Sequence, residues 1–329
     1  MSRQLTIVMY HYVRDLVRSR YPEIKGFSLE RFRRQLDYID AHYNVIRMED
    51  LLEATLGGGR LPERALLLTF DDAYLDHFVN VFPMLDARGL QGSFFPPAKA
   101  VLQNKMLDVN KIHFILASAP DKKRVVAEIF RQMDLARREF DLADNDLYYQ
   151  DLAKPSRFDA AETIFIKRIL QRDLPKRLRA RIVDGLFKEF VAVDETVFAK
   201  ELYMSPEQIV CLRRKGMFIG SHGFEHYFLN TLSAAEQKRE IDLSLEFLRD
   251  IGCDTERWVM CYPYGEWDQQ LLSVLKERRC RIGITTEVDL ADLDSQDALT
   301  LPRLDANDLP SVQGGEPNEW TIKAMRKTV

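Results

Sequence analysis

An α/β fold built on a parallel sheet or barrel is predicted by three observations. Short apolar runs of strand length, ending at turn or polar residues, recur at 5–10, 65–70, 92–95, 217–220, 258–262 and 281–285. Amphipathic segments of helical period lie between many of them. Explicit helix start and stop signals then separate the two kinds of element, and strands alternating with helices argue for parallel pairing.

The helical signals can be taken in chain order. In Phe27-Ser28-Leu29-Glu30-Arg31-Phe32 the serine can cap a helix while Phe27 and Phe32 form a hydrophobic staple, and Phe32, Leu36 and Ile39 continue one apolar face. Ser205-Pro206-Glu207-Gln208 is a capping box with proline at the first helical position, closed by Gly216. Ser233-Ala234-Ala235-Glu236 is a second box, whose helix should stop at Gly252. Between 101 and 200 charged amphipathic segments such as KKRVVAEIFRQM follow one another with little strand signal. These are read as an inserted helical subdomain, the alternative being outer-layer helices of the same barrel. The expected organisation is a discontinuous core of residues 1–100 and 201–308, a helical insertion at 101–200, and a C-terminal extension at 309–329 of uncertain order.

Composition excludes some function classes. With 329 residues, 46% of them apolar, the chain can bury one large core or two small ones. The 47 basic and 51 acidic side chains leave a net charge of −4, so no basic field recruits nucleic acid or an anionic membrane. No window reaches the roughly twenty apolar residues of a membrane span. No leader pattern precedes the first strand, and cytoplasmic localisation is expected. Cys211, Cys253, Cys261 and Cys280 lack metal-ligand spacing and sit in or beside hydrophobic runs; four buried thiols are expected, with one disulfide as the alternative.

Three motifs carry chemistry. Leu66-Leu67-Leu68-Thr69-Phe70-Asp71-Asp72 is an apolar strand delivering two adjacent carboxylates, a costly arrangement that a bound cation would relieve. A lone pair of this kind would more simply cap a helix and face water. A second strand ends in Ser221-His222-Gly223-Phe224-Glu225-His226, where imidazoles four positions apart can converge on one ion. Two histidines and one carboxylate leave an open position on a tetrahedral metal, the mark of a catalytic site. The third, Cys261-Tyr262-Pro263-Tyr264-Gly265, is a sharp turn whose backbone N–H groups could face the same mouth.

TFDDAY (69–74), SHGFEH (221–226) with LNTLS (229–233), and YPYG (262–265) together resemble the polysaccharide deacetylases of carbohydrate esterase family 4. The resemblance implies an irregular (β/α)7 barrel, with the site at the carboxyl ends of its strands. It implies Asp71 as general base and Asp72, His222 and His226 as ligands of a divalent metal, usually zinc, beside an oxyanion donor at the backbone N–H of Tyr264. The chain departs from the family at three places. Cys261 stands where many members carry an arginine that steadies the base, and Arg303 in LPRL is a candidate substitute. Ala73 replaces the usual glycine. No histidine follows His226, although the family draws its general acid from a histidine near the carboxyl end.

His11, at the end of the first apolar strand, is the candidate for that acid. First and last strands of a closed barrel are neighbours, so a circular permutation can move the last strand to the amino terminus without moving its residues in space. Some relatives, including bacterial poly-N-acetylglucosamine deacetylases, resemble such a permuted form. Of the other histidines, His42 is expected at a helix end, His77 in packing or at the edge of the site, and His113 at the start of the insertion. Trp258, Tyr262 and Trp267 are either a sugar-stacking face or core. The expected activity is hydrolytic removal of an acetyl or formyl group from an N-acylated amino sugar of a cytoplasmic glycan or sugar-precursor pathway. The alternatives are an O-acetyl esterase and an inactive glycan-binding barrel.

Overall fold

A computed structural model describes residues 3–57, 59–156, 159–312 and 315–326. Residues 1–2, 58, 157–158, 313–314 and 327–329, which belong to the expected domains and the C-terminal extension, lie outside the described residues. The chain divides into two compact units, one of Met1–Asp15, Gly26–Asn104 and Lys200–Val329, the other of Leu16–Lys25 and Lys105–Ala199.

The first unit is α/β. Its strands are β1 (Gln4–Tyr10), β2 (Val13–Arg14), β3 (Phe27–Ser28), β4 (Asn44–Val45), β5 (Ala65–Asp71), β6 (Ser93–Phe95), β7 (Phe218–Ile219), β8 (Val259–Cys261), β9 (Ile282–Ile284), β10 (Ala291–Asp292) and β11 (Leu304–Asp305). β1 runs parallel to β5 from Leu5↔Ala65 to Tyr10↔Phe70, β5 parallel to β6, and β6 parallel to β7. A single parallel bridge, Ser221↔Met260, leads to the β8–β9 pair, and another, Ile284↔Leu301, leads to the segment before β11. β11 pairs parallel with β1, so the succession of pairings returns to its start. Every apolar run expected as a strand coincides with one of these elements, whereas β2, β3, β4, β10 and β11, two residues each, are too short to give a periodicity.

Side-chain alternation sorts the strands into two cores. Leu5, Ile7, Ala65, Leu67, Val259, Cys261, Ile282, Ile284 and Leu301 form one buried cluster. Val8, Tyr10, Leu66, Leu68, Phe70, Phe94, Met260 and Tyr262 turn the other way, into a larger cluster shared with the helices. Both faces of β5 are therefore buried, which accounts for its unbroken apolar sequence. Asp71 continues the face of Ala65, Leu67 and Thr69 rather than the face packed on helices.

The helix signals act as expected. Ser28 accepts a hydrogen bond from the Arg31 N–H at the start of the helix Leu29–His42. Capping boxes at Ser205 and Ser233 open the helices Pro206–Arg214 and Ala234–Asp250, and Gly216 and Gly252 follow their ends with φ of 85° and 78°. Within the C-terminal segment, the helix Glu319–Arg326 is tied to the helix Leu29–His42 by Thr321, whose hydroxyl lies 2.7 Å from the Tyr38 hydroxyl. The second unit is helical among its described residues, with Asp108–Ser118, Lys122–Ala136, Ala161–Arg168 and Lys176–Leu186 burying Ile112, Ile129, Phe165 and Ile182. Inside it the Lys111 ammonium is paired with Asp184 and Glu195.

Candidate active site

The expected site residues come together at the carboxyl ends of parallel strands. His11 follows β1, Asp71 ends β5 and Asp72 follows it, His222 lies three residues beyond β7, Cys261 ends β8, and Arg303 precedes β11. Backbone turns then aim the side chains. Asp72 and Ala73 take φ of 73° and 55°, reversing the chain immediately after β5. A left-handed alanine costs roughly 1 kcal/mol, so the glycine implied by the resemblance has a conformational reason. Before His222, a Cβ on Gly220 would stand 2.5 Å from the Phe95 ring, which restricts that position to glycine.

Asp71 is a fully paired carboxylate. Arg303 Nη1 donates to its Oδ1 at 3.0 Å, and Nη2 lies 2.9 Å from Oδ2. The guanidinium, 0% exposed, is held in turn by the Thr285 carbonyl at 2.7 Å and the Thr69 hydroxyl at 3.2 Å. Cys261 Sγ approaches Asp71 Oδ1 at 3.4 Å, and burial pushes its thiol well up, so it stays protonated and donates. Burial alone would raise the Asp71 carboxyl; the Arg303 guanidinium beside it outweighs that and holds the group well below the usual carboxylate range. Arg303 thus brings a guanidinium to Asp71 from the segment just before β11.

Asp72 is arranged differently. Its Oδ2 accepts from the Tyr74 hydroxyl at 2.6 Å, but its buried Oδ1 has no hydrogen-bond partner. That oxygen faces His222 Nε2 at 3.5 Å and His226 Nε2 at 3.3 Å. Burial pushes both imidazoles down to about 4, so they are neutral at pH 7. His222 Nδ1 lies 2.7 Å from the Cys261 carbonyl, which can only accept, so the proton sits there and Nε2 presents a lone pair. Asp72 Oδ1 and His222 Nε2, acceptors turned toward one another, repel unless a cation lies between them. Donors on a tetrahedral ion with bonds of about 2.1 Å stand about 3.4 Å apart, so the Asp72, His222 and His226 atoms fit a divalent metal. Among the described residues the other grouping of this kind, Asp71, His222 and Cys261, overlaps the same site. Its carboxylate is already engaged by Arg303.

His11 Nε2 lies 3.9 Å from Asp71 Oδ2, and its side chain is 41% exposed. The backbone carbonyl of His11 is 2.8 Å from Nε2 of the buried His77, which therefore carries a proton there. Burial lowers His77 to about 4, and its ring packs edge-on against Phe70 and Tyr74. Tyr264 sits in the turn Pro263–Gly265 with φ of 60°, its ring 4.8 Å from His226 and stacked on Phe228 at 3.8 Å. Trp258 and Tyr262 are core: the indole donates to the Arg278 carbonyl and the phenol to that of Leu299. Partly buried Trp267 packs on the larger cluster. Sequence reading missed the Tyr74 bond to Asp72 and the His77 bond to His11, because both depend on the reversal after Asp71. The tyrosine of TFDDAY was visible without its role.

A family model described as "Polysaccharide deacetylase" matches residues 173–282, taking in His222, His226 and the Cys261–Gly265 turn. Over 45 residues, 14% of this chain, the sequence is 44% identical to poly-β-1,6-N-acetyl-D-glucosamine N-deacetylase of Escherichia coli K12, and the matched stretch is 7% of that protein's length. The Streptococcus pyogenes deacetylase PplD, solved in complex with acetate, superposes with a TM-score of 0.57 at 14% identity, covering 93% of each chain. IcaB from Ammonifex degensii gives 0.56 at 17% identity, covering 98% of this chain and 97% of that one. Both show a shared fold. The family model thus matches about a third of this chain, and the solved structures share its fold.

Proposed function

We propose that the protein is a metal-dependent hydrolase that removes an acetyl or formyl group from the nitrogen of an amino sugar. The observation that carries this reading is the unpartnered Asp72 Oδ1 facing two neutral imidazoles, beside a second carboxylate locked to an arginine. Asp72, His222 and His226 would hold the divalent ion, with zinc as the first candidate for a donor set of two imidazoles and one carboxylate. When bound, such an ion polarises the acyl carbonyl and brings the pKa of a water to about 7.

The protein's own groups take the remaining roles. Asp71, held ionised, would accept the proton of the attacking water. Arg303 keeps it ionised and fixes its two oxygens. The backbone N–H of Tyr264 donates to the oxyanion of the tetrahedral intermediate. His11, on the exposed side of Asp71, protonates the leaving amine.

We read β1 as the family's last barrel strand moved to the amino terminus, and the closed succession of β1, β5, β6, β7, β8, β9 and β11 as the seven-stranded barrel. The pairing of β1 with both β5 and β11 supports this, since it sets His11 where a final strand would deliver a histidine. The helices of the second unit are the insertion between its motifs. A carbohydrate substrate rests on the family match over residues 173–282 and on the relative named as a poly-β-1,6-N-acetyl-D-glucosamine N-deacetylase. The four unpaired thiols fit a reducing compartment such as the cytoplasm, and no described helix is long and apolar enough to cross a membrane. Metal analysis with release of acetate or formate from N-acylated and O-acylated sugars tests the proposal. Turnover of the amide linkage with bound metal is expected; ester-only turnover makes the protein an O-acyl esterase, and bound metal without turnover makes it a glycan-binding barrel.

A further inference from the structure

Both imidazoles of the site ride on one irregular loop. Between Ser221 and His226 the backbone enters the left-handed region twice, at Gly223 with φ of 72° and at His226 with φ of 59°. A non-glycine residue held there is strained and persists only where its surroundings over-determine it. The surroundings are a polar stripe on the helix Ala234–Asp250, where Gln237, Glu240 and Ser244 follow helical spacing and are all buried.

Each member of the stripe holds the loop. Glu240 Oε2 accepts from two successive backbone N–H groups, Phe224 at 3.1 Å and Glu225 at 2.8 Å, midway between the two histidines. Ser244 Oγ lies 2.6 Å from Ser221 Oγ, which in turn accepts from the Gly223 N–H at 3.2 Å. Gln237 donates to the Leu229 carbonyl at 2.9 Å, just beyond His226. A buried carboxylate is expensive, and hydrophobes would pack this face at lower cost. Hydrogen bonds from two backbone amides to the Glu240 carboxylate are strong enough to define the loop's conformation.

We propose that Glu240 is a positioning residue for the metal centre: it clamps the backbone between His222 and His226 and so sets how tightly the three donors hold the ion. This rests on the metal reading of the site. Glu240 acts through the two histidines, as outer partners of metal ligands do, and their removal typically costs about 10- to 100-fold in metal affinity. Its two bonds to the loop end on one oxygen, Oε2, so the amide oxygen of a glutamine can replace it in that clamp.

The test is the zinc dissociation constant of the full chain, measured by competition with a chromophoric chelator, alongside the thermal midpoint of the metal-free protein. Glu240→Ala is expected to weaken zinc binding by about 10- to 100-fold. Glu240→Asp should weaken it by less, and Glu240→Gln should stay near wild type. If the alanine variant does not fold, the Asp and Gln pair carries the same comparison. A folded Ala or Asp variant with wild-type zinc affinity overturns the clamp even if its thermal midpoint falls, and so does a Gln variant as weak as Asp. A wild-type chain that binds no zinc overturns the metal reading instead.

Discussion

Asp71 and Asp72 are neighbours in sequence and opposites in environment. The first meets a permanent cation, Arg303, on both oxygens; the second leaves one buried oxygen unpartnered in front of two neutral imidazoles. The difference arises from one backbone step. Asp71 keeps the extended geometry of β5 and points along its inner face, whereas Asp72, at φ of 73°, swings toward the histidine loop. Asp71 thus escapes the repulsion of its neighbour by pairing with a cation built into the chain, and the proposed metal would do the same for Asp72.

The largest effect should come from exchanging their fates. Asp72→Ala removes a ligand and is expected to abolish both metal content and turnover; Asp71→Asn should abolish turnover while metal content stays at wild type. Metal analysis on both variants checks this, and a fully metallated Asp72→Ala would end the distinction. Next comes Arg303→Met, which leaves Asp71 as an uncompensated buried charge. Breaking such a pair costs about 3–5 kcal/mol, so chemical denaturation should show a large loss of stability together with lost activity. Unchanged stability would mean that the arginine is not what Asp71 depends on.

His11→Ala tests the exposed side of Asp71. Metal content should hold, and turnover of an amide should fall by about 10²- to 10⁴-fold, the usual contribution of a general acid. An ester with a good leaving group needs less protonation and should lose less. Equal losses on both substrates would assign His11 to substrate binding.

A further effect is a pH dependence. Burial lowers His77, His222 and His226 from 6.5 to about 4. Between those values the unfolded chain binds protons that the folded chain refuses, so the stability of the metal-free protein rises with pH across the window and falls as pH drops. The thermal midpoint should decline from about pH 6.5 toward pH 4, and a flat profile would contradict neutral, buried imidazoles.

Much of this was legible before any coordinates. Long apolar runs such as 65–70 and capping boxes such as Ser205-Pro206-Glu207-Gln208 act locally, so pattern alone located β5 and the helix Pro206–Arg214. Asp71, Asp72, His222 and His226 were identified because their motifs combine unusual residue types at the ends of apolar runs. The short strand β11 escaped notice, and Arg303 before it was only a candidate partner. Two residues carry no periodicity, and the pairing of Arg303 with Asp71 spans 232 positions. Glu240 read as one more charge on an amphipathic helix, since nothing local tells a buried acid from a solvated one.

What the sequence determined by itself was the set of parts: alternating strands and helices, three motifs, and a histidine at the end of the first strand. Tertiary structure decided the partnerships. Which aspartate meets an arginine and which is left with an unpartnered oxygen depends on φ at Asp72 and on strands joined across the sheet. Residue type limits which bonds are possible; only the closure of β1 against both β5 and β11 brings distant groups within reach to make them.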